Sequence, residues 1–257
     1  MDKRKLNAKE KRLKRKEELS RQKAFDNAIR RAYLKEDHLV DFPAFTKFDR
    51  NGISVSLESN RGPSLSSSLK QYVQNLLKVN MEGPYGAEWH EEEKVKEREM
   101  VVENALYIFA RANVLDHHSE DEARNDRENS SVSLWMGAGA PIVAFAQYRF
   151  VMEEEVPVLY VYEIQLEKIV QGKGLGKFLM QLLELIARKN NMMAIVLTIQ
   201  KRNVAAMRFY TNKLSYKISS ISPSRVNPLE YADCTYEILC KTFDSQAKLV
   251  FEDAIDG

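Results

Sequence analysis

The chain has 257 residues, 44% of them apolar, enough to bury one sizeable core in a single domain with appendages. No apolar run reaches the roughly 20 residues of a membrane span and the first residues are charged, so neither a transmembrane helix nor a signal peptide is expected. Two cysteines, Cys234 and Cys240, exclude a disulfide framework and form no metal pattern with the four histidines, which points to a reducing intracellular compartment.

The net charge of +2 is unevenly spread: residues 1–32 carry 13 Lys/Arg and 5 Asp/Glu, a local net of +8 that leaves the remainder near −6. The leader K-R-K-L-N-A-K-E-K-R-L-K-R-K suits RNA, ribosome or chromatin phosphate, or a nuclear localisation signal. The alternative is a solvated helix, because Leu6, Leu13 and Leu19 are too sparse for a core face. The acidic remainder suits a basic peptide.

Ser54 to Leu57 alternates like a strand, and Ser64 to Met81 places Leu69, Tyr72, Val73, Leu76 and Leu77 in a helical stripe after a serine-rich start that caps it. Glu88 to Met100 reads as a heavily charged helix. Ala105 to Ala110 and Ile142 to Phe150 read as paired strands. Between them, residues 112–141 are too polar and glycine-rich to offset their ordering entropy and are expected to form a mobile insertion loop. His117 and His118 lie in this loop, and adjacent histidines there are expected to be solvated rather than to hold a metal.

Val158 to Lys189 is the most informative stretch: a strand, the turn Gln171-Gly172-Lys173-Gly174-Leu175-Gly176, then a helix burying Leu175, Phe178, Leu179, Leu182 and Ile186. Glycines that turn backbone N–H groups outward, followed by a helix N-terminus, make a site for a pyrophosphate. The spacing separates three kinds of loop. A P-loop needs a hydroxyl after Gly176-Lys177, where Phe178 stands, and a dinucleotide fingerprint needs a third glycine where Lys177 stands. Downstream, Met193 to Ile199 is a second buried strand, and Asn203 opens a helix containing Ala205, Ala206, Phe209 and Tyr210.

The order strand, Q-x-x-G-x-G loop, helix, strand, N-x-x-A-x-x-F-Y resembles the GNAT superfamily of N-acetyltransferases. Within it, D-R-N-G at Asp49, Y-E-I-Q-L at Tyr162, G-K-G-L-G-K-F-L at Gly172 and C-T-Y-E-I-L at Cys234 resemble the N-alpha-acetyltransferase D family over about Phe42 to Thr242. The resemblance implies an α/β fold of the acyl-CoA N-acyltransferase type, with a mixed central sheet flanked by helices. It divides the chain into a basic N-terminal helical segment (1–41), an acetyltransferase domain (42–243) and a C-terminal tail (244–257). It also implies acetyl coenzyme A as co-substrate, no metal, histone H4 and histone 2A N-termini as acceptors, and a cytoplasmic and nuclear location.

Amide formation from a thioester needs a neutral amine, a polarised carbonyl and an outlet for the thiolate. An α-amine titrates near 8, well below lysine, so a modest base or an ordered water suffices. By resemblance Glu163 is that base, working through water, and Tyr162 is the acid. A regular strand would put Tyr160 and Tyr162 on one face and Glu163 on the other; the resemblance implies that this strand splays from its neighbour near the cofactor, often with a bulge, so that adjacent side chains reach one cleft. The resemblance further assigns peptide contacts to Tyr160, Thr198 and Tyr236, and to Tyr85 and Trp89, whose alternative reading is helix-packing aromatics. Glu153 would attract an arginine of the peptide; Val151 replaces an acidic neighbour of the family, for which Glu154 or Glu155 is the candidate substitute. For the cofactor, the resemblance implies backbone amides from Gln171 to Gly176 at the pyrophosphate, Ile164, Gln165 and Leu166 along the pantetheine, and Asn203 at the far arm. Lys173 and Lys177 are either phosphate neighbours or exposed helix-start lysines.

Overall fold

The computed structural model describes residues 3–113, 140–227 and 234–253, with side chains from residue 10 onward. The insertion expected at 112–141, with His117 and His118, lies from residue 114 to 139 outside the described residues. The strands are β1 (Lys47–Arg50), β2 (Ile53–Arg61), β3 (Leu106–Ala112), β4 (Ile142–Glu153), β5 (Val156–Leu166), β6 (Ala194–Gln200), β7 (Lys217–Ile218) and β8 (Tyr236–Thr242). They form one mixed sheet in the order β1-β2-β3-β4-β5-β6-β8-β7, antiparallel throughout except for β5 beside β6. Helix α4 (Leu175–Lys189) connects that parallel pair, because parallel neighbours need a crossover.

Side-chain alternation divides the core between the two faces of the sheet. Tyr107, Phe109 and Phe145 pack under α2 (Ser67–Tyr85) and α3 (Trp89–Met100), against Tyr72, Val73, Leu76, Leu77 and Met100. Leu106, Ile108, Ala144 and Ala146 pack in the other layer, against the apolar stripe of α4. The stripes expected on both helices are the buried ones, and the serine cap of α2 is Ser66, whose hydroxyl accepts from Leu69 N–H at 3.2 Å.

Helix α1 (Lys3–Leu34) has two distinct halves. Residues 10–21 are all exposed, Leu13 and Leu19 included, which fits the absence of a core face there. Its last two turns do dock, through the small Ala28 and Ala32 with Ile29 and Tyr33 beside them. Tyr33 Oη donates to Phe150 O at 2.7 Å and accepts from Phe150 N–H at 2.9 Å. Arg61 Nη2 caps the helix end by donating to Tyr33 O (2.8 Å) and Lys35 O (2.7 Å), carbonyls that lack partners within the helix. The segment from 244, read as a tail, instead carries helix α7 (Ser245–Phe251): Asp244 caps it at Ala247 N–H, and Ala247 and Phe251 are fully buried. Strand β1, not foreseen, pairs with β2 across Asn51-Gly52, both at positive φ, the backbone a tight hairpin requires.

His38, at the docked end of α1, is 2% exposed; its Nε2 meets Ala32 O at 3.1 Å and its Nδ1 meets Asn190 Nδ2 at 3.2 Å. Burial and the nearby Lys35 ammonium push its pKa down to about 4. Unfolded His38 takes up its proton near 6.5, so between those values the unfolded chain binds more protons and folding stability falls as the pH drops. Urea titrations at about pH 7 and about pH 5 should show a loss of about 2 kcal/mol from this residue, and His38→Gln should show correspondingly less pH dependence.

Candidate active site

Strand β5 positions the site by losing one neighbour partway along. It pairs with β6 only from Val158 to Val161, opposite Ala194 to Leu197, whereas its pairing with β4 continues to Leu166. The edge from Tyr162 to Leu166 therefore faces an opening where the two parallel strands diverge. In the same place the β4 register runs Gln147 to Glu163 and then Tyr148 to Val161, which leaves Tyr162 as the extra residue of a β-bulge. The bulge breaks the alternation, and Tyr162 and Glu163 both line one cavity of about 590 Å³.

Of the residues singled out by sequence, Tyr85, Glu153, Tyr160, Tyr162, Glu163, Ile164, Gln165, Thr198, Asn203 and Tyr236 line this cavity. Trp89 does not: it is 5% exposed and packs in the layer under α2, its ring 5.9 Å from that of Tyr85, so of the two readings of Trp89 the packing one holds. Val151 lines the cavity beside Glu153, but Glu154 and Glu155 form the tip of the β4–β5 hairpin, both at positive φ, and are not in its wall. The substitution of Val151 by either of them is thus not realised.

The glycine-rich turn lies along the surface beside this opening, with Gln171, Gly172, Gly174 and Lys177 exposed. Gly172 (φ +72°) and Gly174 (φ +94°) occupy left-handed backbone that other residues adopt at a cost. Leu175 turns its side chain fully into the core, so only its backbone is available to a ligand. The first-turn N–H groups of α4 have no acceptor within the helix. Two contacts fix the turn: Asn51 Nδ2 donates to Lys173 O at 2.8 Å, and Gln171 Nε2 donates to Leu166 O at 2.9 Å. Asn80 Nδ2 also donates to Leu166 O (3.2 Å) and to Gln165 Oε1 (3.0 Å), so the Leu166 carbonyl is already shared by two side chains. Asn203 caps helix α5 (Val204–Arg208) through Ala206 N–H at 3.2 Å while facing the cavity.

Among the described residues, the charged members of the wall are Glu88, Glu92, Glu99, Glu153 and Glu163 against Lys96, so this part of the cavity favours a cationic guest. Glu163, 6% exposed, accepts from Lys96 Nζ at 3.0 Å and from Gln165 Nε2 at 2.8 Å. Burial raises the Tyr162 phenol, opposed by the Arg149 guanidinium stacked 3.8 Å over its ring, and raises Tyr160 to about 12 despite its 2.6 Å bond to Thr198 Oγ1. Both phenols therefore hold their protons at neutral pH. Glu153 is raised by burial and by the Glu154 charge. Sequence reasoning missed Lys96 and Arg149. Lys96 sat in a run of charges that reads as a solvated helix face, and Arg149 in a strand read only for its apolar residues.

Against known proteins, residues 86–216, just over half of the chain, match the family model described as "Acetyltransferase (GNAT) family". Among solved structures, the PaiA N-acetyltransferase of Thermoplasma acidophilum in complex with coenzyme A is 15% identical, with a TM-score of 0.45, covering 73% of this chain and 99% of that one. Arabidopsis thaliana NAA60 in complex with a bisubstrate analogue is 11% identical, with a TM-score of 0.44 and coverage of 74% and 100%. Arabidopsis thaliana Naa50 in complex with the bisubstrate analogue CoA-Ac-MVNAL is 15% identical, with a TM-score of 0.42 and coverage of 73% and 99%. At such scores these likenesses add no argument to the family match.

The Asn51 contact gives a test of the turn that needs no ligand. Asn51→Ala should speed amide hydrogen exchange across Gly172 to Lys177 and lower stability by about 1 kcal/mol, with exchange in β6 unchanged.

Proposed function

The chain belongs to the GNAT acetyltransferase family, and from that premise we propose that it acetylates the N-terminal amine of histone H4 and histone 2A, as an enzyme of the N-alpha-acetyltransferase D type. Acetyl coenzyme A is the acyl donor of the family. The observation that carries the proposal is the pairing of a buried carboxylate and a neutral phenol, side by side at the bulge, in a cavity whose wall is otherwise acidic. Such a wall attracts an α-ammonium followed by a basic residue, as in a Ser-Gly-Arg-Gly start, and Glu153 is placed to take the arginine.

The residues fit the donor as well. The diverging edge after Val161 offers backbone groups to an extended pantetheine, and the turn at Gly172 to Gly176 offers unpaired amides to a pyrophosphate, with Lys173 and Lys177 beside it. In the transfer the amine nitrogen bonds to the thioester carbonyl carbon and the carbon–sulfur bond breaks. The proton lost by the amine goes to Glu163, and the departing sulfur takes one from Tyr162. Lys96 and Gln165 each occupy one acceptor site on the Glu163 carboxylate, and in this reading the first proton reaches it through a water. No covalent intermediate on the protein is needed.

The exposed basic half of α1 supports contact with chromatin, RNA or ribosome phosphate and, with it, a cytoplasmic and nuclear location. Acetylation of other N-termini or of lysines is the competing outcome of the same test. Incubation with acetyl coenzyme A and a lysine-containing histone-tail peptide that begins Ser-Gly-Arg-Gly, followed by fragmentation mass spectrometry, should place the acetyl group on the N-terminal nitrogen and leave the lysines unmodified. Glu163→Gln should lower kcat by about a hundredfold and Tyr162→Phe by at least about tenfold. Wild-type rates in both would remove these residues from the mechanism.

A further inference from the structure

Acyl transfer by a base and an acid does not itself require a lysine in the cleft, yet Lys96 is held there between two carboxylates. Its ammonium lies 3.0 Å from Glu163 Oε1 and 3.3 Å from Glu99 Oε2, and its side chain is 15% exposed. The helix that carries it is tied to the sheet at the matching height: Gln147 Nε2 (3.0 Å) and Arg149 Nη2 (2.8 Å) both donate to Glu99 O, in the last turn of α3 where carbonyls lack helical partners. Arg149 in turn covers the Tyr162 ring. One set of contacts thus joins α3, the bulge and both candidate catalytic side chains.

Resting on the reading of Glu163 as the base, we infer that Lys96 is a positioning residue: its ammonium orients the Glu163 carboxylate and balances its charge in the cleft. The other lysine of α3 has no such reach: Lys94, half exposed, pairs with Glu91 at 3.0 Å. The groups facing Glu163 leave this task to Lys96. They are Glu99 from α3, Tyr85 from α2, Tyr107 from β3, Arg149 from β4, Tyr160 and Tyr162 from β5, and Tyr210 from the turn after α5. Burial raises every one of these tyrosines, so they remain neutral, Glu99 repels the carboxylate, and Arg149, though charged, donates to the Glu99 carbonyl and lies over the Tyr162 ring, while the ion pair to Glu163 is made by Lys96. Burial pulls the Lys96 pKa down, but Glu163, Tyr85 and Glu99 outweigh it and the net shift is upward, so the ammonium persists through the working range.

A buried carboxylate deprived of its paired cation binds a proton more readily. The full chain is assayed with acetyl coenzyme A and the Ser-Gly-Arg-Gly peptide from about pH 5.5 to about pH 9 as wild type, Lys96→Met, Lys96→Arg and Glu163→Gln, with acetyl coenzyme A affinity measured by calorimetry as a control for folding. The ratio of kcat/KM for Lys96→Met to that of wild type cancels the titration of the peptide amine, which both share. We expect that ratio to fall about tenfold or more from the alkaline to the acidic end, with Lys96→Arg restoring a flat ratio. A ratio independent of pH, in a Lys96→Met protein that still binds acetyl coenzyme A, would overturn the inference; should that variant fail to bind it, Lys96→Gln is judged by the same criterion. Glu163→Gln at the wild-type rate overturns the underlying reading instead. An inactive Glu163→Gln with a flat Lys96→Met ratio overturns the role of Lys96 alone.

Discussion

The parting of β5 from β6 after Val161 is the constraint on which the rest of the site depends. A sheet continuing in register would pair every backbone group of Tyr162 to Leu166 and leave no cleft. Because the strands diverge, one edge opens toward a ligand, and because β5 carries an extra residue opposite β4, two neighbouring side chains turn into one space. The α4 crossover then brings a helix start and its glycine turn beside the same opening. The proposed donor cradle, base and acid are thus all consequences of one local departure from regular pairing.

That departure is stable because the surroundings hold it on each side. Tyr33 satisfies both backbone groups of Phe150, two residues beyond the bulge partner Tyr148, and Gln147 and Arg149 fasten α3 to the strand between them. The polar side chains of β4 therefore serve the helices, while its apolar ones serve the core. Asn51 and Gln171 do the equivalent work for the glycine turn.

Much of this was legible in the sequence where periodicity and glycine placement carried it: the α2 and α4 stripes, the paired β3 and β4 strands, and the strand–turn–helix unit. The bulge was not readable from residues. It was implied by the family resemblance, which assigns Tyr162 and Glu163 to one cleft although a period of two separates them. Strand β1 escaped because K-F-D-R offers a single apolar side chain, and the docking of α1 escaped because it uses alanines where the reading looked for leucines. Trp89 shows the reverse error, a conspicuous side chain assigned to the pocket that the core takes instead. Lys96 shows what composition hides: among eight charged residues in the twelve of α3, only the fold reveals which lysine is withdrawn from water.

The unpartnered edge of β5 also carries a liability. Free strand edges are templates on which other chains assemble, and proteins usually shield them. Here the shield is the depth of the cleft, with α2 and the glycine turn standing over Leu166. Any ligand that seats along this edge binds the folded chain alone and stabilises it by mass action, by about 2.7 kcal/mol at a hundred times its dissociation constant. If the acyl donor seats there, as proposed, its supply also tunes how often this edge is laid bare.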